Sequence, residues 1–153
     1  MKTVKKVRKA VRTFLIENGK VVAIKYKNEM NKDYYDIPGG KIEENETSMQ
    51  ASIREFKEET GIEIINPEYK GNAIIEYPEK IFDFDIYIVN KYNGEPKEFE
   101  ENYSMWADIQ RLIKEEKVFP SIEILKRISN NGEISLKIDC DENHKIINVK
   151  ENK

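Results

Sequence analysis

The chain has 153 residues, 36% of them charged and 39% hydrophobic, with a formal net charge of −3. That length can bury a core and predicts one domain over residues 1–153, and the acid-leaning balance argues against a dedicated nucleic-acid binder, whose footprint is basic. No apolar run approaches the roughly 18 residues of a membrane helix, and the single cysteine, Cys140, allows no internal disulfide, so the expectation is a soluble cytoplasmic protein.

The first nine residues are rich in lysine, but Arg12 and Thr13 interrupt the apolar run behind them and no small-residue cleavage site follows. The terminus therefore reads as a basic lead-in to a strand, not as a signal peptide. Residues 7–16 and 20–25 are β-branched runs flanking Glu17-Asn18-Gly19, and Asn-Gly predicts a tight hairpin. A polar stretch, 27–33, leads through Tyr34-Tyr35-Asp36-Ile37 into the turn Pro38-Gly39-Gly40. Residues 48–60 are predicted as a helix. Thr47 and Gln50 form a capping-box pair, Gly61 suits a left-handed C-cap, and no Gly or Pro intervenes.

Two more strands are expected at 68–77 and 81–90, with a further turn at Asn93-Gly94. Helical spacing recurs at 108–116 and at 121–128 behind Pro120, with Asn131-Gly132 ending the second helix. Ile134, Leu136, Ile138 and Cys140 alternate with polar residues and predict a closing hairpin with 145–150. His144, the only histidine, falls in the polar turn between them and reads as a surface loop residue. Strands, a helix, further strands and further helices support an α+β or α/β fold.

The chemistry concentrates behind the Pro-Gly-Gly turn. Counting from Gly40, five residues lead to Glu46, seven more to Arg54-Glu55, then an apolar residue, any residue, Glu58-Glu59, any residue, Gly61 and an apolar residue. At about 100° per residue, Met49, Ile53, Phe56 and Thr60 share one stripe of the helix, and Glu55, Glu58 and Glu59 share roughly the opposite side. Carboxylates so close repel one another, and a hard divalent cation such as Mg²⁺ or Mn²⁺, which takes oxygen ligands and keeps room for waters and phosphates, relieves that repulsion. A solvated acidic face needs neither the glycines nor the arginine. A tight loop-to-helix junction approaching a metal uses all of them.

This spacing fills every fixed position of the Nudix box, nine positions over 23 residues, and the chain resembles a Nudix hydrolase. The resemblance implies an α/β/α sandwich around a mixed sheet. It implies that Glu55, Glu58 and Glu59 bind divalent ions, Mg²⁺ first and Mn²⁺ second, with the Gly39 carbonyl as a further ligand. Arg54 would orient Glu55, and Glu46 would anchor Arg54, with Gly40 and Gly61 structural. Glu55 ranks first as general base, with Glu58 and Glu101 as alternates. The order of elements after residue 83, with an acidic stretch at 98–101, Trp106 and Phe119-Pro120, is similar to the branch that hydrolyses nucleoside triphosphates, including oxidised-purine ones. Members acting on oxidised purines often carry acidic residues just after that aromatic-Pro pair, whereas here Ser121-Ile122 follow.

Tyr34, Tyr35, Asp36, Trp106 and Phe119 are the residues expected near a nucleobase, since aromatic faces stack on any base and a carboxylate reads donor edges. The leading expectation is metal-dependent hydrolysis of a nucleoside triphosphate, a small-molecule nucleotide, to the monophosphate and pyrophosphate. The alternatives are another nucleoside diphosphate derivative (ADP-ribose, a nucleotide sugar, a dinucleoside polyphosphate) or a non-catalytic binding module. Neither nucleic acid nor membrane is expected as a partner, and the oligomeric state is not legible.

Overall fold

A computed structural model describes residues 4–128 and 132–152. Its centre is a nine-stranded mixed sheet. The first two strands, β1 (Lys6–Glu17) and β2 (Lys20–Tyr26), form the expected hairpin. Asn18 and Gly19 at its tip have φ of 51° and 76°, the left-handed pair that such a turn requires. β1 and β2 stay paired only near the tip, at Ile16 with Val21 and Glu17 with Lys20. Further back, β1 takes a different neighbour, β4 (Gly39–Lys41), with Ala10, Val11 and Arg12 opposite Lys41, Gly40 and Gly39. β2 instead pairs β3 (Tyr35–Asp36) and β9 (Asn102–Asp108). The sheet thus opens between β1 and β2, and Pro38-Gly39-Gly40 crosses the opening, fixed where the Thr13 N–H donates to the Pro38 carbonyl at 3.0 Å.

On its other edge β1 runs parallel to β7 (Lys80–Val89), which is antiparallel to β6 (Glu68–Glu76). Beyond β6 come β10 (Ile134–Cys140) and β11 (Ile146–Glu151), the closing hairpin. A separate small ribbon joins β5 (Glu63–Ile65) to β8 (Lys91–Asn93). Alternation along β1 sets up two layers. Ala10 and Phe14 face one core with the short helices α2 (Ile109–Leu112) and α3 (Leu125–Ile128). Val11, Thr13 and Leu15 face α1 (Ser48–Thr60) through Ala51, Ser52 and Phe56. The result is the expected α/β/α sandwich with a mixed central sheet. Among the described residues no helix is long and apolar enough to cross a membrane.

α1 has the expected bounds, with both arms of the capping box formed and Gly61 at φ 79°. Its docking stripe is rotated from the one read in the sequence: Ala51, Ser52, Phe56 and Thr60 are buried, while Met49 is 44% exposed. Ser52 is accepted in the core because its hydroxyl bonds that of Thr13 at 2.5 Å. The helix expected at 108–116 stops at Leu112, its one buried residue, with Ile113 as its C-cap packed on the core, and the Lys114-Glu115-Glu116-Lys117 beyond it has nothing apolar to dock. The helix expected at 121–128 begins instead as a 3-10 turn, Pro120–Ile124, whose tighter winding lets Ile122, Ile124 and Leu125 all reach the core. Asn131, expected to end it, lies outside the described residues. His144 is not a solvated loop residue: its ring packs 4.4 Å from that of Phe119 and its Nδ1 lies 3.1 Å from the Tyr77 hydroxyl. Cys140 is buried and free, and burial pushes its thiol up to about 12.

The opening in the sheet is closed below by a buried polar network. Asp36 is 1% exposed. It accepts from Arg12 Nη2 at 3.3 Å, from the Tyr26 hydroxyl at 3.1 Å and from the Ile37 N–H at 2.8 Å. Arg12 also donates from Nε to Ser121 Oγ at 3.1 Å, with its guanidinium 4.5 Å over the Phe84 ring. One side chain thereby ties β1 to β3, β7 and the 3-10 turn. Removing one partner of a buried pair strands the other. Asp36→Ala should therefore cost about 3 kcal/mol, seen as a lower urea midpoint at unchanged slope. A midpoint shift no larger than that of a surface substitution would show that Arg12 does not depend on Asp36.

Candidate active site

The mid-section and last turn of α1 carry the carboxylates. Arg54 organises them. Its Nε and Nη2 grip Glu46 at 2.7 and 2.9 Å, in the two-pronged geometry that suits a guanidinium and a carboxylate. Nη2 also donates to the Lys41 carbonyl at 3.0 Å, and Nη1 donates to Glu55 Oε1 at 2.9 Å and reaches Glu58 at 3.4 Å. These bonds hold the Glu46 carboxyl below its ordinary range, chiefly through the Arg54 contact. They also fix Glu55 by one oxygen and leave Oε2 unbonded among the described contacts.

Gly40 makes this arrangement fit. A Cβ built there would fall 2.5 Å from both the carboxyl carbon and Oε2 of Glu55, so the carboxylate needs the space of the missing side chain. At Gly39 a Cβ would meet the Val11 carbonyl oxygen at 1.9 Å, which backbone cannot yield. The Gly39 N–H donates to Glu59 Oε1 at 2.8 Å. Burial nevertheless pushes the Glu59 carboxyl up to about 8, against the pull of Arg12 and that N–H and with the push of Glu55 and Asp36. Burial likewise raises Glu55, opposed by Arg54.

Glu55, Glu58 and Glu59 open together on a cleft of about 790 Å³, whose facing wall brings in Tyr26, Lys27, Glu101 and Asn102. Glu101 comes from the loop before β9, its carbonyl accepting from the Lys27 N–H at 3.1 Å. The donor set is hard oxygen throughout, with Glu55 and Glu59 raised by burial, which suits Mg²⁺ or Mn²⁺. Among the described residues no three acidic, histidine or cysteine side chains close into a preformed cage. An open carboxylate wall is what Mg²⁺ uses when one or two carboxylates share it with waters and phosphate oxygens.

The residues expected near a base are spread more widely. Tyr35 bridges the layers through its backbone, donating to the Lys117 carbonyl and accepting from the Phe119 N–H. Phe119 meets Tyr26 edge-on at 5.3 Å and Tyr34 at 5.8 Å, so Tyr26 links this aromatic group to the cleft. Asp36 lies beneath them, enclosed by Arg12 and Tyr26. Trp106 stands apart, packed with Tyr92 at 5.8 Å in the core against α1. Tyr26, Lys27 and Asn102 line the cleft without having been singled out in the sequence. Nothing in the sequence pairs β2 with β9, the pairing that places Asn102 opposite Tyr26 and lets Asn102 Nδ2 donate to the Glu59 carbonyl at 3.0 Å.

Residues 6–128 match the NUDIX domain. The chain is 40% identical over 77 residues to the 8-oxo-dGTP diphosphatase of Haemophilus influenzae, covering 50% of this chain and 57% of that protein. It is 28% identical over 80 residues to the CTP pyrophosphohydrolase of Escherichia coli, covering 52% of this chain and 59% of that one. The chain thus spans less than two thirds of the length of either relative. The crystal structure of the MutT protein from Bacillus halodurans superposes with a TM-score of 0.80 at 18% identity, covering 94% of this chain and 96% of the other, a likeness of fold. The box spacing, the sheet that opens around Gly39-Gly40 and a domain match over most of the length lead to one conclusion: this chain belongs to the Nudix family.

Proposed function

We propose that the chain is a metal-dependent pyrophosphohydrolase that splits a nucleoside triphosphate into the monophosphate and pyrophosphate. The observation that carries this reading is the wall of Glu55, Glu58 and Glu59 on one cleft, with Arg54 fixed between Glu46 and Glu55. A divalent cation held by these carboxylates would neutralise charge on the phosphate oxygens and lower the pKa of a bound water. Glu55 Oε2, the oxygen Arg54 leaves free, takes the water's proton. Glu58, 59% exposed, and Glu59, pinned by Gly39, would hold the cation. Base contacts come from the aromatic group of Tyr26, Tyr34, Tyr35 and Phe119, which Asp36 shapes through Arg12 and Tyr26. The names of the two relatives, one acting on an oxidised purine and the other on a pyrimidine triphosphate, support a triphosphate substrate and leave the base to be measured.

The test is chromatographic separation of the products, with pyrophosphate measured alongside, over ordinary and oxidised nucleoside triphosphates, nucleotide sugars, ADP-ribose and dinucleoside polyphosphates with Mg²⁺ or Mn²⁺. Turnover confined to the non-triphosphates, or undiminished by EDTA, would overturn the proposal. With a substrate in hand, Glu58→Gln and Glu59→Gln should each lower kcat by roughly 10²-fold or more while the melting temperature holds. A variant as fast as the parent removes that carboxylate from the site.

Arg54→Lys keeps the charge but not the fork that grips Glu46 while reaching Glu55. It should lower kcat by about 10–100-fold, the usual cost of losing an orienting contact, with KM nearly unchanged. A rise in KM at constant kcat would instead make Arg54 a substrate contact.

Gly40→Ala displaces the flexible end of Glu55, not the backbone. The variant should fold with nearly the parent melting temperature yet lose roughly 10²-fold in kcat, the scale of a 1 Å misplacement. Full activity would mean that the position of Glu55 tolerates such a shift.

A further inference from the structure

The wall of the cleft opposite α1 is a loop, residues 94–101, between β8 and β9, with no regular secondary structure. It brings Glu100 and Glu101 to the same cleft as Glu55, Glu58 and Glu59. Carboxylates facing one another across a cleft drive its walls apart, so something must hold this one in place. Its start is pinned to the end of α1: the Lys97 N–H donates to the Thr60 carbonyl at 3.0 Å, and Ser104 Oγ donates to the Lys97 carbonyl at 2.5 Å. Its far end is held by two main-chain bonds, from the Phe99 N–H to the Asn102 carbonyl at 2.8 Å and from the Lys27 N–H to the Glu101 carbonyl at 3.1 Å, and by the side chain of Lys27, the one cation among the described residues that line the cleft.

Lys27 is turned to the loop. Its Nζ donates to Glu98 Oε2 at 2.6 Å and to the Phe99 carbonyl at 2.7 Å, and it sits 4.3 Å over the Tyr103 ring. An ammonium has three donors. Two are committed to the loop and the aromatic face of β9 covers the group, so little is left for a phosphate oxygen. The Lys27 side chain is 24% exposed, which partly shelters its bond to the Phe99 carbonyl, while Glu98 is 63% exposed and its ion pair is open to solvent. We infer that Lys27 is a positioning residue that clamps the 98–101 wall over the cleft and so sets where Glu100 and Glu101 stand opposite α1. The inference rests on the proposed hydrolase reading for its effect on turnover, but not for the clamp itself.

Hydrogen exchange and steady-state kinetics on the whole chain separate the two. In Lys27→Met the Phe99 amide, which donates to the Asn102 carbonyl at 2.8 Å, should exchange about tenfold faster, as expected for loss of a charge-assisted bond, while the amides of α1 keep the parent rate. With the best substrate of the screen, kcat should fall about tenfold with KM nearly constant, and Lys27→Arg should restore both readings. Glu98→Gln, which weakens the clamp yet leaves Lys27 in place, should speed loop exchange in the same direction and carries the test if Lys27→Met does not fold. Unchanged loop exchange in Lys27→Met and Glu98→Gln overturns the clamp. A rise in KM at constant kcat, or faster loop exchange with kcat intact, overturns the positioning role. If the parent hydrolyses nothing in the screen, the hydrolase reading fails while the exchange arm still decides the clamp.

Discussion

Arg54 donates to two carboxylates, reaches a third and holds a main-chain carbonyl, and the rest of the site depends on that sharing. Without a cation among them, Glu55 and Glu58 would repel each other at the i, i+3 spacing of one helix face. With it, Glu46 is held by two bonds and becomes the fixed end from which Arg54 reaches Glu55. The bond to the Lys41 carbonyl then ties the helix to β4, so the position of Glu55 is set relative to Gly40 and not merely along its own helix. Such an arrangement tolerates no Cβ at position 40, which explains a glycine where the backbone does not itself demand one.

The place of that helix follows from a change of partner along one strand. β1 leaves β2 after the hairpin tip and accepts β4 in its place, and this substitution draws Gly39 beside Glu59 while Arg12 reaches Asp36 on the other side. An uninterrupted β1–β2 ladder would leave no room for the Pro38-Gly39-Gly40 crossing and no opening for a cleft. The polar interior this creates is satisfied by specific pairs, Thr13 with Ser52 and Arg12 with Asp36, as burial of such groups requires.

What was legible in the sequence was what local rules decide. The hairpin at Asn18-Gly19 and the helix Ser48–Thr60 carry their own turn and cap residues, so their bounds needed no knowledge of the remaining chain. The docking stripe of α1 was harder, because its buried face includes Ser52, polar by type and acceptable only beside Thr13. The two-residue strand β3, the three-residue β4 and the strand β9 were invisible for a related reason: each exists through a partner distant in sequence, and β9 is partly buried along most of its length, which erases alternation. The same blindness hid Tyr26, Lys27 and Asn102. His144 looked like a surface residue because its neighbours are polar, but the aromatic rings it meets come from positions 34, 77 and 119.

Electrostatics joins the two halves of the opening. Arg12 lowers the ionisation cost of both Asp36 and Glu59, yet both carboxyls remain raised because burial outweighs one shared cation. The Tyr26 hydroxyl and the Ile37 N–H offset part of the burial of Asp36, which is closed to the cleft. Among the described contacts Glu59 has only the Gly39 N–H besides, and it faces the cleft. The unmet demand therefore falls where a divalent ion can reach it. Arg12 holds the fold on one side of Gly39 and leaves the carboxylate on the other side short of a positive charge.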